Sequence, residues 1–315
     1  MGQIVVNQSF NNFEKFASSL RSWDVDFYQI RQGSFCANLI QYISGDLLLT
    51  RASLNRSFFQ QGNPPEARWT FAVTGSSDIR GNFKGPDIAN QSLIIYPPGS
   101  EINATSHSTF DVLTFSAPEH FLELLAQKQE LPELRHYLKD IEVLMCEKKR
   151  IDKLRSLLIQ LLNKMTKKDL QANDFPDQLW SETIIPETLL KAVYHHDNRE
   201  QPSPVFLLRD GAFNQAIACI QTNARENITV NGLTHQTGVS QRTLEYVFQE
   251  KTGMSPKQFI RTFRLNRVKK ELTRSNYNCH KVTDIAMDWN FSHMGQFSKD
   301  YKKLFGELPS KTLGR

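Results

Sequence analysis

TVNGLTHQTGVSQRTLEYVFQEKTGMSP runs over residues 229–256, and VTDIAMDWNFSHMGQFSKDYKKLFGELP over residues 282–309. At an offset of 53 residues, Leu244, Phe248, Gly253 and Pro256 fall on Phe297, Tyr301, Gly306 and Pro309. Apolar residues four apart share one helix face. A Gly five residues later suits a helix C-cap, because it takes positive φ without steric penalty. The Pro three positions on starts the next segment. In the first copy Thr229 can cap a short helix through Gln236, and Thr237-Gly238-Val239 turns into Ser240. In the second, Thr283 or Asp284 starts a helix through Trp289, and Asn290-Phe291 turns into Ser292. Gly238 and Asn290 tolerate the left-handed backbone such a turn needs, and Ser240 and Ser292 suit an N-cap. Short helix, turn and second helix make a helix-turn-helix, here predicted twice, over about 229–251 and 283–304.

Ser255–Thr273 joins the copies and predicts a helix of about 18 residues, about 27 Å long at 1.5 Å per residue. Phe259, Phe263, Val268 and Leu272 supply its buried stripe; Arg261, Arg264, Arg267, Lys269 and Lys270 supply five cations. A rigid spacer of this size can set two reading helices near one DNA turn apart, about 34 Å. The charge agrees. Gly211–Arg315 holds 16 Lys and Arg against 8 Asp and Glu, a net of +8, whereas the rest of the chain nets −3. A basic third on a near-neutral partner points to a polyanion such as nucleic acid.

On these residues the stretch from Phe213 to Arg315 resembles the DNA-binding domain of AraC/XylS-type transcription regulators. Residues 293–310, HMGQFSKDYKKLFGELPS, are most similar to the branch containing ethanolamine-operon-type regulators. The resemblance implies two recognition helices, Ser240–Lys251 and Ser292–Leu304. Gln241, Arg242, Thr243, Glu245 and Tyr246 of the first, and His293, Met294, Gln296 and Lys299 of the second, would then face double-stranded promoter DNA, with Gly295 among them. Arg242 and Lys299 suit guanine or phosphate, Gln241 and Gln296 suit adenine, and Glu245 suits cytosine or a salt bridge. Thr234 stands where the family usually has Ala, and Asn290 where it has the turn Gly; Trp289 just before it is unusual.

The remainder reads differently. Phe35–Ile43, Asp46–Leu54, Trp69–Val73, Leu93–Tyr96 and Phe110–Phe115 are short β-type runs separated by Gly/Pro/Ser turns, which suggests a sandwich or small barrel. Pro118 to Gln127 predicts a helix. Lys148–Thr166 predicts another, with Ile151, Leu154, Leu158, Leu161 and Met165 on one stripe. That stripe fits packing on its own barrel and also a short antiparallel dimer seam, two readings that do not exclude one another. Polar, Pro-containing residues from His195 to Pro204 read as a linker. The expected fold is α+β. A sensor and dimerisation domain occupies 1–195, with a cupin-like β-barrel over about 34–116 and helices over 118–195. A linker follows over 196–210, then an all-α double helix-turn-helix domain over 211–315.

The chain has 315 residues with a mean hydropathy of −0.45 and no apolar run long enough to span a membrane. Its start lacks a signal-peptide pattern. Four scattered cysteines, Cys36, Cys146, Cys219 and Cys279, fit a reducing cytoplasm. No GxSxG or GxxxxGK[ST] motif appears. Metal binding is not expected: only Glu101 and His107 lie near one another in the predicted barrel, and no HxH pair exists. No cofactor is expected. A barrel interior can hold a small effector, with Tyr42, Arg51, Arg68, Trp69, Phe71 and Tyr96 as candidate lining; the alternative is that Trp69, Phe71 and Tyr96 fill the core. The sequence therefore predicts a cytoplasmic, homodimeric, non-enzymatic transcription regulator, an activator working with RNA polymerase and an unidentified effector. Two rivals stay open: a cupin-type metal enzyme fused to a DNA-binding domain, and an effector-independent dimeric regulator.

Overall fold

The computed structural model describes residues 2–76, 81–83, 87–88, 90–106, 110–166, 179–198, 204–275 and 280–313. The first half is built on two antiparallel sheets. The larger contains β1 (Gln3–Phe10), β3 (Ala37–Ser44), β4 (Leu47–Leu54), β6 (Arg68–Thr74), β9 (Ser92–Tyr96), β11 (Phe110–Pro118), β12 (Val143–Cys146) and β13 (His196–Asn198), in the order β1-β3-β4-β11-β6-β9-β12-β13. The smaller contains β2 (Asp24–Gln29), β5 (Phe58–Asn63), β7 (Gly81–Phe83), β8 (Asp87–Ile88) and β10 (Ile102–Ser106), in the order β2-β5-β10-β7-β8.

Neither sheet closes among the described residues, so the expected barrel is corrected to two open sheets packed face to face. The reason is in the strand order: each sheet keeps two edges, β1 and β13 in one, β2 and β8 in the other. The β-rich region also begins at Gln3, well before residue 34.

Side-chain alternation along the strands gives the large sheet two different faces. Tyr42, Leu49, Trp69, Phe71, Leu93, Leu113 and Phe115 belong to one core, under a helical layer. Leu39, Ala52, Ala72, Ile94 and Tyr96 belong to the other, facing the small sheet. The helical layer is α2 (Glu119–Lys128), α4 (Lys148–Thr166) and α5 (Ile185–Tyr194), with α3 (Leu134–Tyr137) short beside them; α1 (Phe13–Ser19) lies between β1 and β2.

In α4 the predicted seam residues Ile151, Leu154, Leu158, Leu161 and Met165 are all buried in this core of the same chain. The seam is therefore corrected: the stripe covers its own sheet, as burying each large apolar side chain is worth about 1.5–3 kcal/mol. One cation departs from the outward pattern. Arg155 is buried and donates to the carbonyls of Thr74 (2.7 Å) and Asn90 (2.5 Å), pinning α4 to the sheet.

Part of the predicted linker is ordered structure. His196–Asn198 pairs with β12, and residues from Pro204 onward are already helical; residues 199–203 lie outside the described residues. Beyond them every regular element among the described residues is a helix: α6 (Pro204–Thr222), α7 (Val230–Thr237), α8 (Gln241–Thr252), α9 (Pro256–Arg274), α10 (Val282–Asp288), α11 (Met294–Phe305) and α12 (Pro309–Leu313). Among the described residues no helix is long and apolar enough to cross a membrane.

Candidate nucleic-acid interface

Both helix-turn-helix copies form. In the first, the Thr229 side chain accepts from Gly232 N at the start of α7, Gly238 ends it at φ 67°, and Ser240 caps α8 by accepting from Thr243 N at 3.1 Å. In the second, α10 ends in a Schellman arrangement. Phe291 N donates to Ala286 O at 3.0 Å around Asn290, whose φ is 65°. The N-cap of α11 is His293 rather than Ser292, and its side chain makes no capping bond. Counted from the left-handed residue to the N-cap, Gly238 to Ser240 and Asn290 to His293, the second turn is one residue longer, and the first amides of α11 lack a side-chain cap. Gly253 and Gly306 end α8 and α11 with left-handed backbone. Between the copies α9 spans 19 residues, about 28 Å, and starts at a capping box formed by Ser255 and Gln258.

Leu244, Val247, Phe248, Phe297, Tyr301, Leu304 and Phe305 are buried. The opposite faces are open: Gln241, Arg242, Glu245, Tyr246, His293, Gly295, Gln296 and Lys299 are exposed, and Thr243 and Met294 are partly covered. None of the residues predicted to face DNA is buried, although Met294 packs in part against the core. Several are pre-oriented. Gln241 donates to Glu245 (2.8 Å), Gln296 donates to Asp300 (2.9 Å), and the Arg209 guanidinium lies 4.6 Å from the Tyr246 ring centre. Arg242 and Lys299 have no ion-pair partner among the described residues. No side chain fills the space beside Gly295, which occupies the place of Arg242 in the repeat.

The connector cations behave otherwise. Arg261 pairs with Asp300, and Lys269 with Glu307. Arg264 donates to the carbonyls of Ala224 and Glu226, and burial lowers its pKa. Arg267 and Lys270 pair with Asp26 of β2. These five charges hold protein to protein and form no strip facing outward. Trp289, the unusual residue before the second turn, is buried between the guanidinium groups of Arg225 (4.8 Å) and Arg267 (5.4 Å). The Thr234 hydroxyl donates to Asn231 O, so its polar group is satisfied within α7.

Sequence reasoning missed how the first half grips this domain. Gln29 N donates to Asn266 Oδ1 (2.8 Å) and Asn266 Nδ2 donates to Gln29 O (3.0 Å). The amide thereby completes the free edge of β2 as a further strand would. Gln29 Nε2 donates to Leu304 O, and so does Gly33 N, at 2.7 and 3.0 Å. A Cβ at Gly253 would run into the Arg31 guanidinium, and one at Gly306 would crowd Ser34. One stretch, residues 29–34, therefore lies against the C-terminal ends of both α8 and α11, bonded to α11 at Leu304 O and close to α8 at Gly253, opposite the ends that carry the residues predicted to face DNA. Tyr28 stacks on Phe263 at 4.8 Å, and Phe59 meets Phe213 and Phe259 edge-on.

The predicted effector-lining residues are not gathered in one place. Tyr42, Trp69 and Phe71 lie in the core beneath the helices. Arg51 is paired with Asp111 beside an open groove. Arg68 reaches Asp46. Tyr96 faces the space between the sheets. Glu101 is exposed, and His107 lies outside the described residues.

Residues 233–315 match the family described as a helix-turn-helix domain. Over 130 residues the chain is 32% identical to XylDLEGF operon transcriptional activator 2 of Pseudomonas putida, covering 41% of this chain and 80% of that protein. The chain belongs to the AraC/XylS family. It is also 33% identical over 132 residues to XylDLEGF operon transcriptional activator 1 of the same species, covering 42% of this chain and 39% of that one. A solved structure, a probable AraC family transcriptional regulator from Rhodopseudomonas palustris, is 36% identical over 33% of this chain and 95% of that chain, with a TM-score of 0.31. The chain spans about two fifths of the length of the first relatives it matches. The matched family domain of this AraC/XylS-type chain contains both α8 and α11, the two helices whose outward faces are described above.

Proposed function

We propose that this chain is a sequence-specific DNA-binding transcription regulator, an activator, in which α8 and α11 enter successive major-groove segments. The observation that carries the reading is the double motif: two helices with exposed polar N-terminal faces, buried apolar backs, and C-terminal ends that both lie against one strand and its following turn. Arg242 and Lys299 donate to guanine or phosphate, and Gln241 and Gln296 pair with adenine. The uncapped first amides of α11 suit a phosphate, because a helix N-terminus carries partial positive charge. The first half responds to a small effector, shifting the balance between states of different DNA affinity. The regulator acts in the cytoplasm as a homodimer on double-stranded promoter DNA, together with RNA polymerase. The names of its relatives, operon activators, support this direction. No catalytic step belongs to the reading.

The test is selection from random duplex DNA by the full chain. The expected result is an enriched site with two short determinants whose centres lie about 10–10.5 base pairs apart. Binding without any enriched sequence overturns the reading. Because affinity falls with the number of phosphates neutralised, the selected site should also lose affinity steeply as salt rises.

A further inference from the structure

The cations of α8 and α9 that rest on aromatic rings are each also paired with an acid: Lys251 with Asp210, Arg261 with Asp300, Arg267 with Asp26 and Lys269 with Glu307. The rings beneath them are buried. Arg209 of α6 is different. Its guanidinium lies 4.6 Å from the centre of the Tyr246 ring, and it has no ion-pair partner among the described residues. The acids next to the pair in sequence are engaged elsewhere: Asp210 accepts from Lys251 and Asn214, and Glu245 accepts from Gln241. Tyr246 itself is 51% exposed. A stack this open contributes little to stability. What it does is fix the direction of one cation on an open surface.

The position of that surface gives the cation a task. α6 runs beside α8, joined to it by the edge-on contact of Phe213 with Phe248 at 5.0 Å and by the Lys251–Asp210 pair. Arg242 and Tyr246, four residues apart and both exposed, share the outward face of α8. A helix with its side chains is about 10–12 Å wide, and the major groove is about 12 Å wide. A helix in the groove therefore fills it, and a cation carried by the neighbouring helix beside the outward face meets the rim, where the phosphates stand. A guanidinium stacked by its face keeps its in-plane N–H groups free, and that fork matches two oxygens of one phosphate.

We propose that Arg209, held by its stack on Tyr246, is a DNA-backbone contact that donates to a phosphate on the rim of the groove α8 enters. The inference rests on the reading of α8 as a groove-entering helix and goes beyond it. Arg209 stands outside residues 233–315, which match the helix-turn-helix family, and on neither predicted recognition helix. From sequence it falls in the stretch read as linker. Such a contact carries no sequence information; it fixes the register and orientation of α8 on the duplex.

The test measures binding of the full chain to the selected duplex and to a scrambled duplex across a salt series, with thermal unfolding alongside. Arg209→Ala should weaken binding to both duplexes about threefold to tenfold, and should make the slope of log affinity against log salt shallower by about 1. The ranking of sequences should stay as it was. Arg209→Lys should keep the slope and lose part of the affinity, since Lys is a point charge without the fork. Tyr246→Ala should cost less in the Arg209→Ala background than alone, because the ring acts in part by holding the guanidinium. The Tm of each variant should change little. The contact is overturned if Arg209→Ala leaves the slope unchanged, or if its loss falls on the selected duplex alone, which would make Arg209 a base reader. A fall in Tm with the slope unchanged also overturns it, the pattern of a residue that only braces α6. Equal cost of Tyr246→Ala in both backgrounds overturns the role of the stack. If the chain selects no sequence, yet Arg209→Ala still makes the slope of its general duplex binding shallower by about 1, the contact stands and the regulatory reading falls.

Discussion

The two helix-turn-helix copies share an apolar frame and part company at the start of the outward-facing helix. Leu244 and Phe297, Phe248 and Tyr301, Gly253 and Gly306 take equivalent places, all buried or in left-handed caps. At the reading ends Ser240 is replaced by an uncapped His293, Arg242 by Gly295, and Gly238 by Asn290 in a longer turn. The frame decides that a helix is presented; the end decides what it presents. If both helices enter DNA as proposed, copies that differ there would read different sequence and different backbone, so the chain's site on DNA should itself be asymmetric.

Removing the shared frame should hurt both copies alike. Leu244→Ala and Phe297→Ala each delete a fully buried side chain, and each should cost about 3–5 kcal/mol in denaturant unfolding. A loss under 1 kcal/mol for one of them would mean that copy is not a packed unit. The common hold on the two helices is next in size. Asn266→Leu leaves Gln29 N and O without their partner in a buried seam, at about 1–3 kcal/mol. It should weaken binding to a two-part site more than to an isolated half-site, as measured by titration with both DNAs. Equal loss on the two would show that residues 29–34 do not set one helix against the other.

The reading ends can be separated by DNA binding at fixed salt. Arg242→Ala and Lys299→Ala should each cost about 1–3 kcal/mol if the side chain reads a base, and each should relax preference in a different part of the site. A loss that is uniform across sequences would reassign the residue to phosphate. The turns make a smaller contrast. Gly238→Ala should lose about 1–2 kcal/mol of stability, because a Cβ is strained at positive φ. Asn290→Gly should be nearly neutral, since Asn already tolerates that backbone; a large loss there would mean that the Asn290 side chain has a task beyond the turn.

The helical third was largely legible because its determinants are local. Residues four apart, a cap and a turn residue lie within one short window, and α7, α8, α9 and α11 fall within a few residues of expectation. Two caps moved: that of α11 from Ser292 to His293, because the turn at Asn290 carries one residue more before the cap, and that of α10 from Thr283 or Asp284 to Lys281, which makes no side-chain capping bond. The sheets were half legible. The five expected strands exist as β3, β4, β6, β9 and β11, but QIVVNQSF and DVDFYQ gave no clean signal. In β1 only Phe10 is buried and the other residues are exposed or partly covered, and in β2 the outward Asp26 and Tyr28 serve another domain. The docking of the two halves had no sequence signal, since Gln29 and Asn266 are 237 residues apart. The α4 stripe was visible, but its period is the same whether it meets a sheet or a second copy. The five cations of α9 count toward the basic charge of the helical third, but a charge count does not reveal partners such as Asp26, Asp300 and Glu307.

The smallest expected effect separates the copies most cleanly. Ser240 accepts a hydrogen bond from the first turn of α8, and His293 does nothing equivalent for α11. A good N-cap is worth about 0.5–2 kcal/mol. His293→Ser and His293→Asp should therefore both stabilise the chain, by about 0.5–1 kcal/mol in denaturant unfolding, through the same bond to an amide of the first turn. On DNA they should diverge. Serine adds no charge, whereas aspartate puts a negative charge where phosphate is expected to meet the α11 amides. His293→Asp should then bind the selected site several-fold more weakly than His293→Ser despite equal or greater stability. If the two bind alike, the start of α11 does not face the backbone of DNA, and its missing cap is a packing accident rather than a vacancy kept for phosphate.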